Sequence, residues 1–118
     1  MKSTLLGSWG EAKAAEYLRK KKYSIVAANF RTRFGEIDII AENKKYIVFV
    51  EVKLRKSDEF AKAYEFVTHA KQSKIKSAAT SWLSYNETEK SVRFDVIEIY
   101  APDGACGKYK INHIEEAF

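Results

Sequence analysis

The chain has 118 residues, 46% hydrophobic and 31% charged, with a formal net charge of +5. Such a length suits one domain, residues 1–118, around one core. The composition excludes a disordered chain, and no apolar run approaches the ~20 residues that span a bilayer.

Cys106 is the sole cysteine, so neither an intrachain disulfide nor a cysteine zinc cluster can form. The opening Met1–Ser8 breaks off too early for a signal-peptide core. These features lead us to expect a cytoplasmic protein with no membrane association. The positive charge suits a polyanionic partner, though many unrelated soluble proteins are equally basic.

In chain order, Ser8 to about Lys22 reads as a helix. Ser8 and Glu11 stand at capping-box spacing, and Trp9, Ala12, Ala15 and Leu18 supply an apolar face. Arg19-Lys20-Lys21-Lys22 closes the helix, where its dipole favours cations. Tyr23 to Phe30 is a first strand; after Gly35, Glu36 to Glu42 is a second. Asn43-Lys44-Lys45 turns into a third, Tyr46 to Lys53. Its run from Ile47 to Val52 is apolar on both faces except at Glu51, as in a central strand covered on both sides. A charged loop precedes a lysine-rich helix from about Phe66 to Tyr85, with Ala70, Ser73 or Lys74, Ser77, Ala78, Ser81 and Trp82 at helical spacing. Val92 to Tyr100 is a fourth strand, and Tyr109 to Ile114 a short edge strand. The order α-β-β-β-α-β-β predicts a mixed sheet with helices packed against it.

The chemistry concentrates in Gly35-Glu36-Ile37-Asp38 and Val50-Glu51-Val52-Lys53. Glu51 and Lys53 share a strand face. For a hairpin symmetric about Asn43-Lys44, paired residue numbers sum to 87, which sets Asp38 opposite Phe49, diagonal to Glu51 and on its face. A three-residue turn without a bulge would turn Asp38 away. Two converging carboxylates suit Mg²⁺, with Mn²⁺ as a substitute, and a neighbouring lysine can activate water or stabilise a charged phosphorane. Phosphodiester hydrolysis needs both. Structural ion pairing accounts for the same residues equally well, because a carboxylate among apolar neighbours needs some partner.

Asp38 with Glu51-x-Lys53 resembles the PD-(D/E)xK phosphodiesterase superfamily of restriction enzymes and Holliday-junction resolvases. Over nearly its full length the chain resembles the YraN family of bacterial proteins. The matching stretches are Gly7-Ser8-Trp9-Gly10-Glu11, Ala15, Tyr17-Leu18, Asn29-Phe30-Arg31, Gly35-Glu36-Ile37-Asp38, Val48 to Lys53, Phe94-Asp95-Val96 and His113 to Phe118. The resemblance implies an α/β restriction-endonuclease-like mixed sheet with an αβββαβ core flanked by helices. As an ancestral activity it implies Mg²⁺-dependent nucleic-acid cleavage, with DNA the expected substrate. One departure stands out: His69 occupies the place where a proline is expected after Val67-Thr68.

Asp38, Glu51 and Lys53 are thus the candidate catalytic residues, the two carboxylates also being metal ligands. The resolvase likeness suggests Glu11 as a third ligand, against its alternative as a helix cap. Glu36 and Gln72 are supporting candidates; for Lys71 a solvated helix face is the simpler reading. Arg31, Arg33, Arg55 and Lys56 flank the motif and suit phosphate contacts. His69 and His113 are too distant in sequence to argue a metal pair, and Trp9 and Trp82 read as core. The leading expectation is a DNA endonuclease. Its rivals are a nucleic-acid-binding module that lost catalysis and a protein-interaction domain. A two-fold symmetric substrate would call for a homodimer, but no dimer surface is legible.

Overall fold

The computed structural model describes residues 5–56 and 67–118. Two helices and five strands follow the expected order: α1 (Leu5–Lys20), β1 (Ser24–Thr32), β2 (Gly35–Glu42), β3 (Tyr46–Arg55), α2 (His69–Tyr85), β4 (Ser91–Tyr100) and β5 (Lys110–Ile114). The sheet order is β1-β2-β3-β4-β5, antiparallel except for the parallel β3–β4 pair. This is the expected α/β mixed sheet of restriction-endonuclease-like type. The charged loop after Lys56 and a helix start at Phe66 lie outside the described residues.

β3 is the middle strand, and its alternation divides the core. Ile47 and Phe49 join Ile75, Ala78 and Ala79 of α2, while Val48 and Val50 join Ala14 and Leu18 of α1. A strand covered on both faces must be apolar on both, which explains the run from Ile47 to Val50. On the α2 side Phe49, Phe94 and the C-terminal Phe118 stack in series, with centroids 5.5 and 5.4 Å apart. Among the described residues no helix is long and apolar enough to cross a membrane.

Several expectations are corrected. The capping box of Ser8 and Glu11 does not form, because α1 already runs from Leu5 and Ser8 lies within it. The buried stripe of α1 is Gly10, Ala14 and Leu18, whereas Ala12 is exposed. Of the α2 residues at helical spacing, Ala78 is buried and Trp82 packs on the core, whereas Ala70, Lys74 and Ser77 are exposed; Ile75 and Ala79 complete the buried face. His69 does not delay α2: Thr68 caps it, its side chain accepting from the Lys71 N–H, and His69 takes the first helical position, which proline also favours.

The β2–β3 hairpin pairs Ile39 with Val50 and Glu42 with Ile47, so partner numbers sum to 89 rather than 87. The Asn43 side chain helps centre the turn on Lys44-Lys45 by accepting from the Lys45 and Tyr46 N–H groups. A shift of two preserves side-chain parity. The paired residues therefore keep their expected faces, and the ladder ends at Ile39–Val50, one residue short of Asp38.

Two tertiary constraints hold the ends of the sheet. Gly35 approaches α2 so closely that a Cβ there would stand 2.7 Å from the Lys74 carbonyl oxygen. On the α1 side, Arg93 chelates Asp95 through Nε and Nη2 at 2.9 and 2.8 Å. His113 Nε2 lies 2.7 Å from the same carboxylate, and the Glu116 N–H donates to it at 3.1 Å. The cluster draws β5 and the C-terminus onto β4. Burial pushes the Asp95 carboxyl up, but the hydrogen bonds from His113, Arg93 and the Glu116 N–H outweigh it and leave the pKa below its ordinary value.

Gly35→Ala is expected to destabilise the fold by about 1–3 kcal/mol in urea titrations, as overpacking does. Asp95→Asn should cost about 3–5 kcal/mol near neutral pH, because the buried Arg93 loses its two-pronged partner and keeps only the exposed Glu115, 3.7 Å away. A depressed carboxyl contributes stability above its unfolded pKa, about 4, and loses it as pH falls through the folded value. The difference between wild type and Asp95→Asn should therefore shrink on acidification below about pH 4.

Candidate metal-binding cleft

The sheet splits at one place. β2 and β3 pair from Glu42–Ile47 up to Ile39–Val50, beyond which the Asp38 side chain takes over: its Oδ2 accepts the Val52 N–H at 2.8 Å. β1 contributes to the divergence. Asn29 has φ +53°, in the left-handed region that asparagine tolerates, and lies between the pairs Ala28–Ile39 and Phe30–Ile37. Past that kink Ile37 packs with the α2-side core, although Ile39, two residues on, belongs to the α1 side.

The split opens a cleft of about 230 Å³ between the N-terminal halves of α1 and α2. Asp38, Glu51 and Lys53 all line it, with Glu11 from α1, Arg31 from β1, Glu36 from β2, and Lys71 from α2. The two strand carboxylates are largely buried, Asp38 at 9% and Glu51 at 6% exposure. Glu51 Oε2 meets two ammonium groups, Lys71 Nζ at 2.9 Å and Lys53 Nζ at 3.3 Å. Burial works against the Lys71 ammonium, but Glu51 and Asp38 together raise its pKa above the ordinary lysine value.

The remaining candidates divide. Arg31 lines the cleft and lies 3.9 Å from Glu36. Arg33 belongs to an adjoining groove, while Lys56 lines a separate pocket with Tyr100 and Tyr109. Arg55 is turned to Glu98, with Nη1 3.2 Å from its Oε2 and the side chain 11% exposed. Gln72 is not a cleft residue; its amide donates to the Val67 carbonyl at 3.0 Å and ties down the start of α2. Its neighbour Lys71 reaches the carboxylates instead, against the sequence reading of a solvated face. Its position follows from the Thr68 cap, which the Val67-Thr68 sequence could have revealed. His113 is committed to Asp95 and Tyr17.

The donor set is two buried carboxylates, with Glu11 and Glu36 in the same cleft, all hard oxygen donors of the kind Mg²⁺ and Mn²⁺ take. Among the described residues, no group of three or more His, Cys, Asp or Glu side chains is already gathered as a metal cage. Lysine ammoniums supply the positive charge at Glu51.

These features define a mixed-sheet α/β protein whose polar cleft lies where the central hairpin opens. A family model described as uncharacterised protein family UPF0102 matches residues 10–99. The chain is 48% identical over 114 residues to a UPF0102 protein of Syntrophomonas wolfei, covering 96% of each. It is 48% identical over 113 residues to one of Thermodesulfovibrio yellowstonii, covering 96% of this chain and 95% of that one. A UPF0102 protein of Alkaliphilus oremlandii is 46% identical over 116 residues, covering 96% and 97%. The chain belongs to the UPF0102 family, to which the YraN resemblance pointed.

Proposed function

We propose that this protein is a Mg²⁺-dependent phosphodiesterase acting on nucleic acid, with DNA as the expected substrate. The observation that carries this reading is the pairing of two largely buried carboxylates from adjacent strands with two lysines in one open cleft. Ordinary surface carboxylates would be solvated, whereas these two are largely buried. Asp38 and Glu51 would hold the cation, with Glu11 facing them across the cleft. Bound there, Mg²⁺ supplies the positive charge that lets water attack a phosphodiester. Lys53 stands beside Glu51 on the same strand, where its ammonium can orient the attacking water and stabilise charge building on phosphorus. Arg31, at the cleft wall, suits the phosphate backbone. The net charge of +5 favours a polyanion throughout.

A second reading, a nucleic-acid-binding module without catalysis, draws on the same Glu51. Its charge is already met by Lys53 and Lys71, so the cluster can stand as a structural ion network.

The test combines cleavage with metal binding. Wild type should cut DNA only with Mg²⁺ or Mn²⁺, and Asp38→Asn and Lys53→Ala should each lose at least about 100-fold in rate. In calorimetry Asp38→Asn should lose Mn²⁺ affinity, while Lys53→Ala retains it. Lys71→Ala should bind Mn²⁺ about fivefold more tightly, because a competing ammonium has left Glu51. Nucleic-acid binding without cleavage of single-stranded, duplex, flapped or junction DNA would favour the module.

A further inference from the structure

Beside the cleft, and sharing Glu36 and Lys71 with it, runs a second groove of about 580 Å³. Its outer wall is the tip of the β1–β2 hairpin, where Phe34 stands 54% exposed. Arg33 and Lys74 also line it.

An exposed phenyl ring at a hairpin tip contributes little to folding, yet this one is held in place. The Thr32 hydroxyl oxygen accepts from the Phe34 N–H at 3.0 Å and the Gly35 N–H at 3.2 Å, and the hydroxyl donates to the Gly35 carbonyl at 3.1 Å. Gly35 is seated against the backbone of α2 at Lys74. The Arg33 guanidinium lies 5.0 Å from the ring centroid. Phe34 is thus an aromatic ring on a braced turn, accompanied by a stacked cation and flanked by Lys71 and Lys74. A π-face with cations around it matches a nucleobase and its phosphates, and the pre-ordered turn lowers the entropy cost of stacking.

We propose that this groove receives an unpaired base of the substrate strand, stacked on Phe34, with the adjoining phosphates directed toward the cleft. A base within a perfect duplex has both faces covered by its neighbours and offers none to the ring. The preferred substrate is therefore a nucleic acid with a single-stranded stretch or an unpaired nucleotide beside the phosphodiester in the cleft. That placement rests on the function proposed above; the stacking does not require cleavage.

The experiment measures binding alone, in EDTA, by fluorescence anisotropy. The ligands are a labelled single-stranded DNA oligonucleotide and the perfectly paired duplex of the same sequence, with wild type, Phe34→Ala and Phe34→Trp. Phe34→Ala should weaken single-strand binding by about tenfold and leave duplex binding within about twofold. Phe34→Trp should restore single-strand affinity, and a 2-aminopurine in the strand should be quenched by wild type and Phe34→Trp but not by Phe34→Ala. Unchanged single-strand affinity in Phe34→Ala, or an equal loss for both ligands, overturns the proposal while leaving the Asp38 and Lys53 cleavage test untouched. If wild type binds neither ligand, the nucleic-acid function falls with it. If Phe34→Ala instead abolishes self-association with unchanged DNA binding, the groove belongs to a second copy of the chain and the proposal is wrong.

Discussion

The Asp38 carboxylate accepts the Val52 N–H where the β2–β3 ladder would otherwise continue, and much of the molecule is arranged around that substitution. A side-chain oxygen replaces a backbone carbonyl, so the strands can part without leaving the buried N–H unsatisfied. The parting admits α1 residues from one side of the sheet and Lys71 from the other. Asn29 takes a left-handed conformation in β1 beside the split, and Gly35 lets the hairpin tip close against α2. Without these local departures the hairpin would be a continuous ribbon and the carboxylates would lie on a flat sheet face.

Two of the buried charge clusters have opposite characters. Arg93 and Asp95 form a two-pronged pair, and His113 and the Glu116 N–H occupy what remains of the carboxylate. The arrangement is saturated, and it fastens the chain terminus to β4. At the cleft the anions are buried but their partners are not: Glu51 is 6% exposed, whereas the Lys71 side chain is 44% exposed on a long flexible stem. In the proposed function, an ammonium held in that way would give place to the divalent cation or contact a phosphate. One cluster anchors, and the other is left open to the cleft.

Asp38, Glu51 and Lys53 were legible in the sequence because strand periodicity is forgiving in a specific way. The register differs from the expected one by two residues, since the Asn43 side chain helps centre the turn on Lys44-Lys45, yet an even shift keeps the paired side chains on their expected faces. The central place of β3 was equally readable from its doubly apolar run. Helical positions are less forgiving, because an error of one or two residues rotates the stripe. Thus Ala12, expected on the apolar face of α1, is exposed, and Lys71, expected on a solvated face of α2, reaches Glu51. The fate of Arg55 depended on Glu98, a residue 43 positions away. Nothing local to the Arg55-Lys56 pair discloses that contact.

In the proposed function Asp38 and Glu51 jointly bind a divalent cation at the split in the sheet. The most direct measurement is anomalous diffraction from crystals soaked in Mn²⁺, with wild type and Asp38→Asn compared under the same conditions. An anomalous peak about 2.0–2.6 Å from oxygens of both carboxylates in wild type, with Lys71 displaced from Glu51 and no peak in the variant, is the expected result. A cleft in which both lysines stay on Glu51 at saturating Mn²⁺, with no peak between the carboxylates, would contradict the account.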